Sequence, residues 1–256
     1  MEWYMIAALV GTGLVAGFLN TTAGGGSTLV LPLLMFMGLP ANVANGTLRV
    51  AILFQNIISV QTFRQKRVLD VKTDFRLVLP TVLGSLIGAL IAVEINVDLL
   101  KKIIAGLMIV MLLLVLFKPE IWIKEHAGIT GPKPTVMQYI IFFLIGIYGG
   151  FIQMGVGFLL LAGLVLGCGH NLVKANAIKV FIVLIYTIFS IGIFMYYNQV
   201  NWLAGLILAA GNMGGAWLGV HFAVRGGAKY LRYILIFAMV VVILNLFGVF
   251  RQISFR

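Results

Sequence analysis

The sequence predicts an all-α, polytopic membrane protein made of two inverted repeats, each a glycine-tipped re-entrant hairpin followed by three transmembrane helices. Three observations carry that prediction. The chain is 62% hydrophobic and only 10% charged, with a mean hydropathy of +1.11, whereas a soluble domain is about one quarter charged. It also matches itself without a gap at a shift of 131 residues: Gly24 meets Gly155, Gly26 meets Gly157, Gly38 meets Gly169, Ala44-Asn45 meets Ala175-Asn176, Ser59 meets Ser190, and Gly84 and Gly88 meet Gly215 and Gly219. Finally, the charge bias of equivalent loops reverses between the halves.

The elements follow in order. Apolar runs at 3–20 and 27–38 flank Thr21-Thr22-Ala23-Gly24-Gly25-Gly26, and runs at 42–63, 75–94 and 99–117 are each long enough to span, since about 20 helical residues cross a bilayer core. A polar loop at 118–136 separates repeat one (3–118) from repeat two (137–250), and the whole chain forms one membrane domain. The pattern then recurs: 137–152 and 157–168 flank Gln153-Met154-Gly155-Val156-Gly157, followed by spans at 172–197, 201–222 and 228–249. The runs at 27–38 and 157–168 reach about 18 Å as helices, against a core of about 30 Å. The glycine segment before each must therefore turn at membrane depth, which is tolerated where protein or a water-filled cavity satisfies the backbone. Two tilted full crossings joined by a glycine turn are the alternative. The N-terminus lacks the basic region and cleavage site of a signal peptide, so the first run reads as retained.

Loop charge sets the orientation. Arg64, Lys66, Arg67, Lys72 and Arg76 outweigh Asp70 and Asp74 in 64–76, while the matching segment Tyr196 to Asn201 is uncharged. In 94–102, Glu94 and Asp98 balance Lys101 and Lys102, while 225–232 carries Arg225, Lys229 and Arg232 with no acid. Cytoplasmic loops collect Lys and Arg, so 64–76 and 225–232 are expected inside and 94–102 and 196–201 outside. Arg251 and Arg256 weigh against this arrangement. The net charge of +11 then reports topology rather than a nucleic-acid partner.

Several functions are excluded. A single cysteine, Cys168, allows neither an internal disulfide nor a thiolate metal cluster. The seven carboxylates, Glu2, Asp70, Asp74, Glu94, Asp98, Glu120 and Glu125, all sit at or beyond the ends of apolar runs, which disfavours a cation transporter. No catalytic constellation, nucleotide-binding loop, cofactor motif or metal site is present, so an enzyme is not expected.

What remains is a pair of buried cations. Arg49 and Lys179 each lie about seven residues into a span, roughly 10 Å deep, and each would cost about 2.5–3.5 kcal/mol at the centre of a span. No carboxylate is available at that depth to offset them. Two readings stay open: the cations attract an anionic substrate, in which case neutralising Arg49 should leave folding intact, or they snorkel to the nearer interface. Their registers differ by one, since Arg49 aligns with Val180. The hairpin tips fit the anion reading, because helix ends with unsatisfied N–H groups bind anions. Gly24, Gly25, Gly26, Gly155 and Gly157 would let backbone approach a small oxoanion. Thr22, Ser27, Thr47, Gln153, Asn45 and Asn176 would add neutral selectivity. Close helix packing is the alternative reading of the glycines, and Gly84/Gly88 and Gly215/Gly219 fit it better.

The segment Ala23-Gly24-Gly25-Gly26-Ser27, the run with Pro32 and Gly38, and Val43-Ala44-Asn45-Gly46-Thr47 together resemble the sulfite exporter TauE/SafE family. The weaker copy from Gly155-Val156-Gly157 to Ala175-Asn176 fits the same pattern but lacks the triple glycine. The resemblance spans essentially the whole chain. It implies a multi-pass inner-membrane secondary transporter, an exporter of sulfite or organosulfonates working by alternating access. The implied partners are a small anionic substrate and the lipid bilayer; proton coupling and a homo-oligomer are compatible with the sequence, which assigns neither. A passive anion channel is the main alternative, and a membrane-embedded enzyme the weaker one.

Overall fold

A computed structural model describes residues 2–69, 75–104, 106 and 134–246, with side chains through Arg225. The described residues are helical, without strands. The expected span at 99–117 beyond residue 106, the loop at 118–136 before Pro134, and the charges Asp70, Lys72, Asp74, Glu120, Glu125, Arg251 and Arg256 lie outside the described residues.

Helix α1 (Trp3–Thr22) is followed by α2 (Ser27–Phe36) and α3 (Ala41–Gln65). A 3₁₀ turn, Phe75–Leu77, leads into α4 (Val78–Glu94). Beyond it the Asn96 side chain accepts from the N–H groups of Asp98 and Leu99 and starts a helix over 97–104. In the second half come α5 (Val136–Phe151), α6 (Val156–Ala162, continued by a π turn over Gly163–Gly167), α7 (Leu172–Tyr196) and α8 (Trp202–Leu246). Among the described residues, five stretches are long and apolar enough to cross a bilayer: Trp3–Thr22, Ala41–Gln65, Phe75–Glu94, Leu172–Tyr196 and Trp202–Arg225. Exposed Leu79, Leu83, Leu90, Leu144, Leu206 and Leu218 suit a lipid environment.

The self-match in the sequence is also a backbone repeat. Left-handed residues occur at Gly24, Gly38 and Arg67, and again at Gly155, Gly169 and Asn198, the same shift of 131 each time. The bounds of α3 and α7 are related by that same shift. The left-handed turn at Gly24 ends α1, with the N–H groups of Ala23 and Gly24 both closing on the Leu19 carbonyl. Gly155, also left-handed, is the N-cap residue of α6.

One boundary differs from expectation. Residues 225–232, read from their charges as a loop between spans at 201–222 and 228–249, continue the backbone of α8 as one helix. The Gly226-Gly227 pair weakens a helix by roughly 1 kcal/mol per residue but breaks nothing, because each glycine keeps its N–H; a proline would have been needed to stop the chain there.

The halves pack crosswise. α1 lies along α8, and α5 along α4. Each contact is made by glycines whose added Cβ would collide with the facing backbone: Gly13 and Gly17 against Leu208 and Asn212, Gly211 and Gly215 against Val10 and Leu14, Gly84 and Gly88 against Phe143 and Ile147, and Gly146 and Gly150 against Thr81 and Ser85. Small residues let backbones approach where lipid supplies no hydrophobic drive between helices. Between these pairs, α3 and α7 pack on each other, with α8 behind α3 and α4 behind α7.

Candidate functional site

The interrupted helices α1 and α5 end inside the protein, and each leaves carbonyls without an intrahelical donor. The opposite half supplies those donors. Arg49 of α3 is fully buried; its Nη1 donates to Gly149 O (3.2 Å), Gln153 Oε1 (3.1 Å) and Ser190 Oγ (3.0 Å), and its Nη2 to Gly150 O (2.5 Å). One turn earlier, Asn45 Nδ2 donates to Phe151 O at 2.8 Å. The guanidinium also lies over the Phe194 ring, 4.4 Å from its centroid. Lys179 of α7 mirrors this arrangement: its Nζ donates to Asn20 O (2.7 Å), Thr21 O (3.2 Å) and Asn176 Oδ1 (2.6 Å). Asn176 Nδ2 in turn donates to Thr22 O and to Leu172 O, both at 3.0 Å. Thus α3 caps α5, and α7 caps α1.

The one-residue mismatch between Arg49 and Lys179 has a simple geometric resolution. Arg49 follows Asn45 by four residues and Lys179 follows Asn176 by three, and both spacings lie on one helix face. Charge opposite a helix C-terminus is favourable because the macrodipole is negative there. Among the described residues the cations therefore have no carboxylate partner, and being buried they do not snorkel; their hydrogen bonds go to carbonyls, amide oxygens and a hydroxyl.

The two glycine tips meet between these clamps. Gly24 and Gly157 are in backbone contact, with no room for a Cβ on either. Ser27 joins the tips: its Oγ donates to Gln153 O at 3.2 Å and accepts from Gly155 N at 3.3 Å. A cavity of about 20 Å³ lies at this junction, lined by Asn20, Gly24, Ser27, Ile52, Gln55, Asn56, Gln153, Val156, Gly157, Lys179 and Val183. That is room for about one water molecule. Among the described residues no group of His, Cys, Asp or Glu is placed to hold a metal ion.

Of the residues expected from sequence, Gly24, Ser27, Gln153, Gly157 and Lys179 line the cavity. Arg49 reaches it through Gln153, and Asn45 and Asn176 hold helix ends beside it. The others sit elsewhere. Thr22 Oγ1 turns back to the Phe18 carbonyl. Gly25 packs under the Phe158 ring and Gly26 against Ala16. Gly155 supplies the left-handed turn before α6. Thr47 Oγ1 accepts from Asn201 N at 2.9 Å and anchors the turn before α8. The first N–H of α2, at Ser27, is taken by Asn20 Oδ1 at 3.0 Å.

Sequence reasoning missed Asn20, Gln55, Asn56, Tyr186 and Asn212. Gln55 Oε1 accepts from both Asn20 Nδ2 and Asn212 Nδ2 at 3.1 Å. In the other half Gln153 Nε2 donates to Tyr186 OH at 2.9 Å. Gln55 and Tyr186 are partners at the 131-residue shift, so the two networks occupy matching places. The signal was available as a polar residue recurring at a repeat position, but Gln and Tyr do not look alike in an alignment.

Comparisons with known proteins point to a family of membrane transporters. The family model for "Sulfite exporter TauE/SafE" matches residues 9–246. The chain is 27% identical to "Probable membrane transporter protein ORF9" of Sinorhizobium sp over 247 residues, covering 96% of this chain and 94% of the relative. It is 27% identical to a "Probable membrane transporter protein" of Haemophilus influenzae (89% of each chain) and 26% identical to "Probable membrane transporter protein YfcA" of Escherichia coli (89% of this chain, 84% of the relative). No solved structure matches the chain. A family match across nearly the whole length, joined to five bilayer-length apolar helices, makes this chain a helical membrane transporter, not an enzyme, that belongs to the sulfite exporter TauE/SafE family.

Proposed function

We propose that this protein is a secondary transporter, working as an exporter in the inner membrane, for small sulfur-containing anions such as sulfite or organosulfonates. The observation that carries the reading is the cavity between the glycine tips: Lys179 lines it, Gln153, Asn20, Gln55 and Asn56 surround it with amides, and no carboxylate among the described residues faces it. A cation desolvated beside neutral donors is the arrangement that favours a small oxoanion over a metal ion. With room for about one water, the cavity is narrower than an open anion pore, which favours alternating access over a channel.

The crosswise packing, the repeated left-handed turns and the unequal charge of equivalent turns support reading the halves as inverted repeats, each with a re-entrant hairpin. The turn at Lys66-Arg67 is basic and its counterpart at Tyr197-Asn198 is neutral. In this reading an anion enters beside Lys179, whose three N–H groups are all engaged by Asn20, Thr21 and Asn176. Direct bonding to the anion requires releasing an α1 carbonyl. Substrate arrival thereby loosens the grip of α7 on the first hairpin, which gives the rocking motion a local trigger.

Equilibrium binding of sulfite, thiosulfate, sulfoacetate and sulfate to purified protein tests the reading. At least one sulfur anion should bind, and Lys179→Gln should weaken it ten-fold or more. Unchanged affinity in Lys179→Gln would move the substrate to another site.

A further inference from the structure

We propose that the ammonium of Lys179 is a tethered cation filling a seat that would otherwise take a free monovalent metal ion, so that this transporter works without bound Na⁺. The C-terminal carbonyls of a broken membrane helix form a negative pole. In transporters with discontinuous helices such ends coordinate the coupling cation. Here the end of α1 presents Asn20 O and Thr21 O, and Asn176 Oδ1 completes a three-oxygen cup around Nζ, with contacts of 2.7, 3.2 and 2.6 Å.

Three acceptors face one nitrogen, an arrangement that suits the three N–H groups of an ammonium. The cup holds no carboxylate, which makes it unsuited to Ca²⁺ or Mg²⁺, ions that call for charged oxygen ligands. The neighbouring cavity of about 20 Å³ can hold one water, a fourth oxygen for a small monovalent ion once the lysine is gone. The α5 end is filled in the same manner by Arg49, which reaches Gly149 O and Gly150 O. Both cation seats of the broken helices are thus occupied by the chain itself.

This seat belongs to the transport site proposed above, so the two ideas need separate readouts: thermal stability without any anionic substrate tests the seat, and anion binding tests the site. The melting temperature of the purified protein should be measured in NaCl, KCl, methylammonium chloride and choline chloride at equal ionic strength. The wild type and Lys179→Arg, which keeps a tethered cation, should melt at the same temperature in all four. Lys179→Ala should melt several degrees lower in choline and recover saturably with methylammonium or Na⁺. A saturable rise of the wild-type melting temperature with Na⁺ would overturn the proposal. So would a Lys179→Ala protein whose melting temperature and purified yield respond to none of the small cations.

Discussion

Arg49 is held by carbonyls, a side-chain amide and a hydroxyl, and that reverses the expected consequence of removing it. As an unpaired charge it should be dispensable for folding. As the donor to Gly149, Gly150, Gln153 and Ser190 it is structural: each buried acceptor left unsatisfied costs about 1–3 kcal/mol. We expect Arg49→Gln to lower the melting temperature markedly and Arg49→Lys to recover only part of it, because a lysine cannot reproduce the planar fork that reaches two successive carbonyls. A thermal melt of the two variants in detergent checks this; equal stability of wild type and Arg49→Gln would show that the carbonyls find other donors. The contrast with Lys179 is informative. Lys179 lines the cavity and Arg49 does not, so the two cations are alike as caps and unequal as neighbours of a substrate.

At the scale of elements, the helix pairs α1–α8 and α4–α5 depend on glycines at the closest approach of two backbones. Gly84 faces the Phe143 carbonyl and Gly215 the Leu14 carbonyl with no space for a methyl group, whereas Gly11 and Gly192 have nothing within 4 Å. Gly84→Leu or Gly215→Leu should therefore abolish recovery of folded protein, and Gly11→Leu and Gly192→Leu should behave as wild type on size-exclusion after extraction. Element positions were legible in the sequence because hydropathy and the glycine repeat mark them directly: α3 and α7 fall within a few residues of the expected spans. The continuous α8 was not legible, since basic residues beside Gly226-Gly227 look like a loop when only charge and propensity are read. The partners of Arg49 and Lys179 were equally invisible, because backbone carbonyls leave no mark on a sequence. A search for counter-charges looks for Asp and Glu, and so it misses a helix end as the partner.

For the whole molecule, the orientation of the halves is the property most open to test. The Lys66-Arg67 and Tyr197-Asn198 turns are structural equivalents, and the proposed inversion would place them on opposite faces of the membrane. Single cysteines at Lys66 and Asn198, probed with a membrane-impermeant maleimide, should label from opposite sides, with position 66 cytoplasmic. Labelling from one side would make the repeats parallel. The native Cys168, a half-buried free thiol, is replaced first so that each variant carries one reactive cysteine.

The crossed capping also bears on how the protein is made. The carbonyls of Asn20, Thr21 and Thr22 are satisfied by Lys179 and Asn176, more than 150 residues further along the chain. When the first half leaves the ribosome its partner has not been synthesised, so the end of α1 must wait in a nascent state with water, lipid headgroups or the insertion machinery standing in. The halves are then obligate companions, and duplication has made each the other's chaperone. Residues 1–118 expressed alone should be degraded quickly, and co-expression with 119–256 should restore both fragments to the membrane, as read by pulse-chase. A long-lived first half on its own would mean that α1 finds its cap before the second half arrives.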